Sequence, residues 1–337
     1  MQISKDISLL PYNTFGVDVA ASQLFCFSNT HELIELLRSY RNRDTRIFVL
    51  GGGSNVLFTD NFDGLIIHPA NKGIAILDQS DVCATIEVQA GEDWDDFVAW
   101  AVAHELYGTE NLSLIPGSVG AAPVQNIGAY GSEVCQLIKL VKAVEIDTGN
   151  EVSFLNYECR FGYRDSVFKN SLKDKYVITS VLFSLTKYKN LNLNYADLQQ
   201  YFAQRPEPGI QDVRDAVCEI RNAKLPDYKV FGNAGSFFKN PVVAVSELQA
   251  LQSEFRDIRY FPINESFVKL AAGWLIDACG LKGYRKGRAG VHQQQALVLV
   301  NYGGATGSEI VALAGEIQHR VCEKFGVNLE YEVNRLP

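Results

Sequence analysis

A chain of 337 residues with 47% hydrophobic and 21% charged content has the composition of a soluble globular protein, long enough to bury the cores of two or three domains. Its formal charge of −8 comes with no basic run, which argues against nucleic-acid binding and leaves anionic ligands to local basic pockets. The opening MQISKDISLLPYNTFG has neither the basic start nor the apolar stretch of a signal peptide, and no run of about twenty apolar residues marks a membrane span, so a cytoplasmic protein with no membrane contact is expected.

Residues 29–41 carry a helical pattern: Asn29 or Thr30 can cap it, and Leu33, Leu36, Leu37 and Tyr40 recur on one face. A strand at 47–50 runs into GGGSN at 51–55 and then into Val56, Leu57 and Phe58. This suggests a βα-type phosphate site, with a plain tight turn as the competing reading. The glycines depart from the GxGxxG order, so a Rossmann domain is not expected. Strands at 64–68 and 85–90 lead to a helix near 93–106, where Trp94, Phe97, Val98 and Ala101 line the buried side and Gly108 follows the end.

The stretch 111–131, NLSLIPGSVGAAPVQNIGAYG, mixes Gly117, Gly120, Gly128 and Gly131 with Pro116 and Pro123, which rules out a regular helix or long strand. Small residues let the main chain approach a bulky charged guest, and successive turns can aim backbone N–H groups at phosphate oxygens. Leu114, Ile115, Val119, Val124 and Ile127 make it too apolar for a solvated loop, so its backbone polar groups need partners. A diphosphate cofactor fits both requirements.

Strands follow at 139–147 and 151–154, joined by a turn at Asp147–Asn150, and at 177–186. Between them, Arg160 and Arg164 stand among Phe161, Tyr163 and Phe168. From spacing alone the two are equally salt-bridged strand-edge arginines or a fork for a carboxylate. A short helix starts behind Tyr195, and the proline and glycine cluster at 203–209 precedes a helix at 212–223, which places a domain boundary around 210–232. The segment 232–241, GNAGSFFKNP, exposes Ser236 in a glycine-rich bend. Three more helices are expected: one begun by Ser246 and Gln249, one over 267–279 that stacks Leu270, Trp274 and Ala278 and stops at Gly280, and one over 307–325 boxed by Thr306 and Glu309 and stopped by Gly326. A buried strand at 296–300 and a terminal strand at 328–333, with Glu330 and Glu332 on one face, complete the chain.

The seven cysteines, Cys26, Cys83, Cys135, Cys159, Cys218, Cys279 and Cys322, form no CxxC pair and suit reduced thiols; the five histidines show no HExxH, and no metal is expected.

NTFG (13–16), GGGSNVLF (51–58), the 111–131 loop, CRFGYRDSVF (159–168), NYADL (194–198), KLPD (224–227), GNAGSFFKNPVV (232–243), KLAAGWLID (269–277), HQQQALVLVN (292–301) and LEYEV (329–333) occur in one order over nearly the whole chain. Together they resemble the UDP-N-acetylenolpyruvoylglucosamine reductases, flavoenzymes of bacterial cell-wall precursor synthesis, of the longer type with a tyrosine loop. The resemblance implies an α+β fold: a two-part FAD-binding domain of the vanillyl-alcohol-oxidase/PCMH type, at 1–69 and 70–222, a smaller α+β substrate-binding domain at 223–326, and a C-terminal strand at 327–337 that reaches the active site. It implies non-covalent FAD held by Gly51, Gly52, Gly53, Ser54, Asn55, Ile115, Pro116, Gly117, Ser118, Gly120, Ala121, Gln125, Asn126, Gly128, Ala129 and Tyr130. Tyr195, Lys224, Lys239 and Asn240 are the substrate-binding positions it suggests, with surface charge or packing as the rival reading for each. Arg164, Ser236 and Glu332 match the catalytic positions: a guanidinium and a neutral carboxyl to stabilise a developing enolate, and a hydroxyl to protonate it. Two positions depart from the family, Tyr331 in place of proline and Gly52 in place of glutamate.

The activity so implied is NADPH-dependent reduction of the enolpyruvyl ether of UDP-N-acetylglucosamine-enolpyruvate to UDP-N-acetylmuramate, by a monomer. Two alternatives compete. One is a flavin-dependent oxidase of the same fold; several of these tether the flavin through a histidine near the first glycine turn, and 51–55 has none. The other is a nucleotide-sugar-binding protein without turnover.

Overall fold

The computed structural model describes residues 2–41, 44–205 and 207–337. Pro206, within the cluster read as a linker, lies outside the described residues. The chain forms two compact units and passes between them repeatedly: the first comprises Met1–Ile7, Ala21–Gly52 and Asp63–Ala223, the second Ser8–Ala20, Gly53–Phe62 and Lys224–Pro337.

Two larger sheets and the short ribbon Gly128–Ala129/Ser132–Glu133 lie in the first unit. One runs in the order Ser4–Ser8, Ala20–Phe27, Phe62–Pro69, Ile47–Val49, with the last two strands parallel. The other is antiparallel, in the order Glu151–Leu155, Ile138–Glu145, Tyr176–Thr186, Cys83–Gln89, Ile74–Gln79. Helix α1 (Thr30–Tyr40) is capped by the Asn29 side chain, which accepts from Glu32 N–H, and it buries the expected Leu33, Leu36, Leu37 and Tyr40 against Phe25, Phe27, Leu65 and Ile67. Helix α2 (Trp94–Ala103), capped by Asp93, packs Trp94, Phe97 and Val98 onto Ile86, Val88 and Phe183 of the antiparallel sheet. Burying a side chain such as Phe97 contributes about 1.5–3 kcal/mol. Helices α3 (Ala196–Tyr201) and α4 (Ile210–Lys224) share a smaller core built on Leu198, Phe202, Val213 and Val217.

In the second unit, helices α5 (Val245–Glu254), α6 (Ala272–Ala278) and α7 (Gly307–Phe325) accompany two three-stranded sheets. The box of Thr306 and Glu309 and the left-handed Gly326 close α7 as expected. Four expectations need correction. Helix α5 starts at Val245, earlier than Ser246 and Gln249 suggested, because Glu247 accepts from the Ala244 N–H at 3.0 Å. The helix expected over 267–279 is divided: Phe267–Leu270 is the central strand between Val242–Ala244 and Tyr260–Pro262, paired on both edges, and only Ala272–Ala278 is helical. Val56–Phe58 is a strand rather than a helix start, since Asn334–Leu336 pairs with it in parallel. The terminal strand is thus Asn334–Leu336, while within 328–333 Tyr331 forms an isolated bridge to Phe238. Among the described residues no helix is long and apolar enough to cross a membrane.

Candidate active site

The glycine-rich loop is built from turns tied to the start of α2. Trp94 N–H donates to Gly117 C=O at 3.0 Å, Val119 N–H to Glu92 C=O and Gly120 N–H to Ala90 C=O, both at 2.9 Å, and the Trp94 indole reaches Leu112 C=O at 2.8 Å. Gly120 is required: a β-carbon there would stand 2.6 Å from that of Ala90. The backbone N–H groups of Gly120, Ala121 and Asn126 are therefore all engaged within the protein, so these three offer a ligand shape rather than backbone donors.

The first glycine turn lies against this loop. A β-carbon on Gly51 would approach the Ser118 hydroxyl to 2.7 Å, and one on Gly52 would approach Gly117 Cα to 2.8 Å. Ser118 Oγ is itself buried with no hydrogen-bond partner, a cost in the range of ~1–3 kcal/mol unless a ligand oxygen meets it. An orphaned hydroxyl beside two closely packed glycine bends is a donor that a diphosphate-bearing cofactor can use, and FAD fits here. Ile115 and Ala121 are half-buried beside it and Pro116 is exposed. Asn126 plays another part. Its amide donates to Glu133 and to Gly162 C=O, each at 2.9 Å, and accepts from Cys135 N–H at 3.1 Å, which locks a residue held at φ +44.

Gly128 and Ala129 form a short strand, and the half-buried Arg164 donates to Gly128 C=O at 2.7 Å from a left-handed backbone, φ +54. Arg160 is also left-handed but exposed. Tyr130 sets its ring edge-on to Tyr195, with centroids 5.2 Å apart. Burial pushes the Tyr130 phenol up to about 12, and burial with Asp197 raises that of Tyr195, so both are neutral hydroxyls at physiological pH. Gln125 is half-buried in the same loop.

In the second unit, Gly53 is left-handed at φ +63, and a β-carbon there would lie 2.0 Å from Tyr12 C=O. Ser54 and Asn55 follow, half-buried. Ser236 bridges Val298, and the next residue, Phe237, donates to Leu297 C=O and accepts from Glu332 N–H, both at 2.9 Å. The segment 236–238 thus has Leu297 and Val298 along one edge and Tyr331 and Glu332 along the other. Tyr331 packs on Phe237 and Phe238 at 5.2 and 5.6 Å. Lys239 pairs with Glu330 at 3.3 Å, so the two glutamates of this segment differ in environment: Glu330 is exposed in an ion pair and Glu332 is half-buried. Asn240 caps Ala272 N–H at 3.0 Å, a structural task for its carbonyl oxygen, and Lys224 is exposed at the end of α4.

Sequence reading overlooked two supports. The Asn55 amide donates to Glu332 C=O at 3.3 Å, which ties the first glycine turn to the candidate carboxyl. Asp95 grips Arg214 through both oxygens, at 2.7 and 2.9 Å, and accepts from Leu114 N–H at 2.5 Å, pinning the start of the loop. Burial opposes ionisation of Asp95, but Arg214 and that N–H outweigh it and hold the carboxyl below its usual range. The only local signal for either was an unassigned polar residue beside a motif.

The pattern for the C-terminal domain of UDP-N-acetylenolpyruvoylglucosamine reductase matches residues 226–336, and one for an FAD binding domain matches 21–154. A UDP-N-acetylenolpyruvoylglucosamine reductase from Flavobacterium johnsoniae is 46% identical over 337 residues, 99% of each chain, and one from Chromobacterium violaceum is 48% identical over 98% of each. Among solved structures, the reductase of that name from Thermus caldophilus covers 100% of both chains with TM-score 0.69 at 24% identity. p-Cresol methylhydroxylase covers 97% of this chain and 85% of its own with TM-score 0.51 at 12% identity, a likeness of fold. The α+β architecture with an FAD-binding part of the PCMH type is that of this chain, which belongs to the UDP-N-acetylenolpyruvoylglucosamine reductase family.

Proposed function

We propose that this protein reduces the enolpyruvyl ether of UDP-N-acetylglucosamine-enolpyruvate to UDP-N-acetylmuramate, with non-covalent FAD and NADPH, as a cytoplasmic monomer. Similarity over 99% of both chains to a reductase of that name carries the reading. FAD, when bound, supplies the hydride chemistry, replenished from NADPH. Gly51, Gly52, Gly117 and Ser118 would hold its diphosphate.

The protein's own residues manage charge and the proton. Hydride arriving at the terminal carbon of the double bond drives negative charge onto the carboxylate side, and the Arg164 guanidinium stabilises it. Ser236 Oγ–H gives its proton to the carbon that bears the ether oxygen, which completes the saturated lactyl ether. Glu332, in its neutral form, donates a hydrogen bond to the same growing charge. Tyr195, Lys224, Lys239 and Asn240 are assigned to the UDP diphosphate, with Asn240 able to offer only its amide N–H₂ because its oxygen caps α6.

The test is an anaerobic spectrum of the yellow protein, before and after NADPH and then after substrate. Bleaching by NADPH and recovery of colour with the enolpyruvyl substrate are expected, with all colour released on acid precipitation. Failure of either half-reaction, or colour that stays with the precipitate, overturns the reading.

A further inference from the structure

Of the segments that carry the resemblance, NTFG at 13–16 has no part in the proposed chemistry, yet within the second unit it touches both the end of the first glycine turn and the bend that carries Ser236. Thr14 makes both connections. Its N–H donates to Gly53 C=O at 3.1 Å, its C=O accepts from Asn233 N–H at 2.9 Å, and its hydroxyl donates to Asn233 C=O at 2.7 Å. The hydroxyl also lies 3.4 Å from Gly53 C=O, too far to compete with the shorter bond. Asn233 is buried, and its side-chain oxygen accepts in turn from Gly235 N–H at 3.0 Å while its amide donates to Phe231 C=O at 2.8 Å. Thr14 thus holds Asn233, and Asn233 holds Gly235, the residue before Ser236. Packing does not brace that bend at its tip: Gly235 is left-handed at φ +69, and a β-carbon there would meet nothing within 4 Å. Past the tip, the bridge of Ser236 to Val298 and the two bonds of the Phe237 backbone fix the chain, so the approach to Ser236 from the other side is set by Asn233. Asn13 offers a contrast. Its side chain bonds only to Leu9 and Val17 within its own segment, where it shapes the turn and reaches no part of the site.

We infer that Thr14 is a positioning residue for the proton step: by latching the Asn233 backbone at both its N–H and its C=O, and gripping Gly53 from the same residue, it sets where the Ser236 hydroxyl stands relative to the first glycine turn. This rests on the activity proposed above, in which Ser236 gives the proton. Loss of the Thr14 hydroxyl leaves the C=O of a buried residue without that donor, and the bend relaxes to find another. A small displacement of a reacting group is costly to the step it serves and indifferent to a step in which it takes no part.

Thr14→Val keeps the branched shape and both backbone bonds and removes the hydroxyl; Thr14→Ser keeps the hydroxyl. In stopped-flow absorbance of the FAD-loaded protein, Thr14→Val should slow reoxidation by the enolpyruvyl substrate about 10–100-fold and leave reduction by NADPH within about twofold of wild type. Thr14→Ser should restore reoxidation to within about threefold. Without turnover, amide hydrogen exchange over 233–236 should speed about 3–10-fold in Thr14→Val, the scale of one lost hydrogen bond, and stay near wild type in Thr14→Ser. Equal slowing of the two half-reactions, reoxidation unchanged in Thr14→Val, or a loss in Thr14→Ser as large as in Thr14→Val overturns the inference. Should Thr14→Val lose its fold or its FAD, Thr14→Cys, whose thiol is a weak donor, decides by the same measurements. A wild-type protein that the substrate does not reoxidise overturns the proposed activity instead, and the exchange comparison still decides whether Thr14 holds the bend.

Discussion

A methyl group on Gly52 would stand 2.8 Å from the Cα of Gly117. Two bends far apart in sequence approach so closely that a side chain at Gly52 would collide with the other, and the buried Ser118 hydroxyl lies beside the contact without a partner.

Gly52→Ala should therefore force the bends apart at a cost of about 1–3 kcal/mol. The expected outcome is a lowered melting temperature and an FAD dissociation constant raised at least about tenfold, read by recovery of free-flavin fluorescence. Unaltered affinity would show that this contact does not shape the cofactor site.

Two left-handed glycines should respond differently to alanine. At Gly235 a β-carbon meets nothing within 4 Å, so the loss is the backbone penalty alone, about 1–2 kcal/mol. Gly53→Ala adds a collision with Tyr12 C=O at 2.0 Å and should prevent the second unit from folding. Denaturant unfolding of both variants checks the contrast.

Ser236→Ala should leave reduction by NADPH at the wild-type rate and slow reoxidation by the enolpyruvyl substrate by about 10²–10⁴-fold, the contribution of a positioned proton donor. Stopped-flow absorbance at the flavin band measures both steps. Equal slowing of the two would remove Ser236 from the role of proton donor.

The Asp95 carboxyl, held below its usual range, stabilises the folded state fully above the unfolded value of about 3.9, and this stability is lost as pH falls through the lower folded value. Asp95→Asn should cost about 1.5–3 kcal/mol at pH 7, and the gap to wild type should close in acid below about pH 4. Unfolding free energies from pH 7 downward test the sign; a gap that widens in acid contradicts it.

Asn126→Asp replaces two amide donors with a carboxylate oxygen facing Glu133 and Gly162 C=O. A loss of at least about 2 kcal/mol at neutral pH, easing as pH falls and the new carboxyl is protonated, is the expected result of denaturant titration.

The parts of this protein legible in its sequence are those that close locally. Helix α1 was readable because Asn29 caps it three residues from its donor, and α7 because Thr306, Glu309 and Gly326 mark both ends. Glycine density at 51–53 and 117–131 announced irregular, closely packed bends, since the conformational freedom of glycine belongs to the residue itself. Tertiary structure decided whatever depends on a remote partner. Val56–Phe58 is a strand because Asn334–Leu336 lies beside it, and Phe267–Leu270 because it has a strand on each edge. Asn126 turned inward because Glu133, Gly162 and Cys135 meet it, and Asp95 took Arg214, a residue 119 positions away. Helical hydrogen bonds span four residues and leave their mark in adjacent sequence; strand pairing and charge pairing join residues that no local pattern relates, so only the folded chain reveals them.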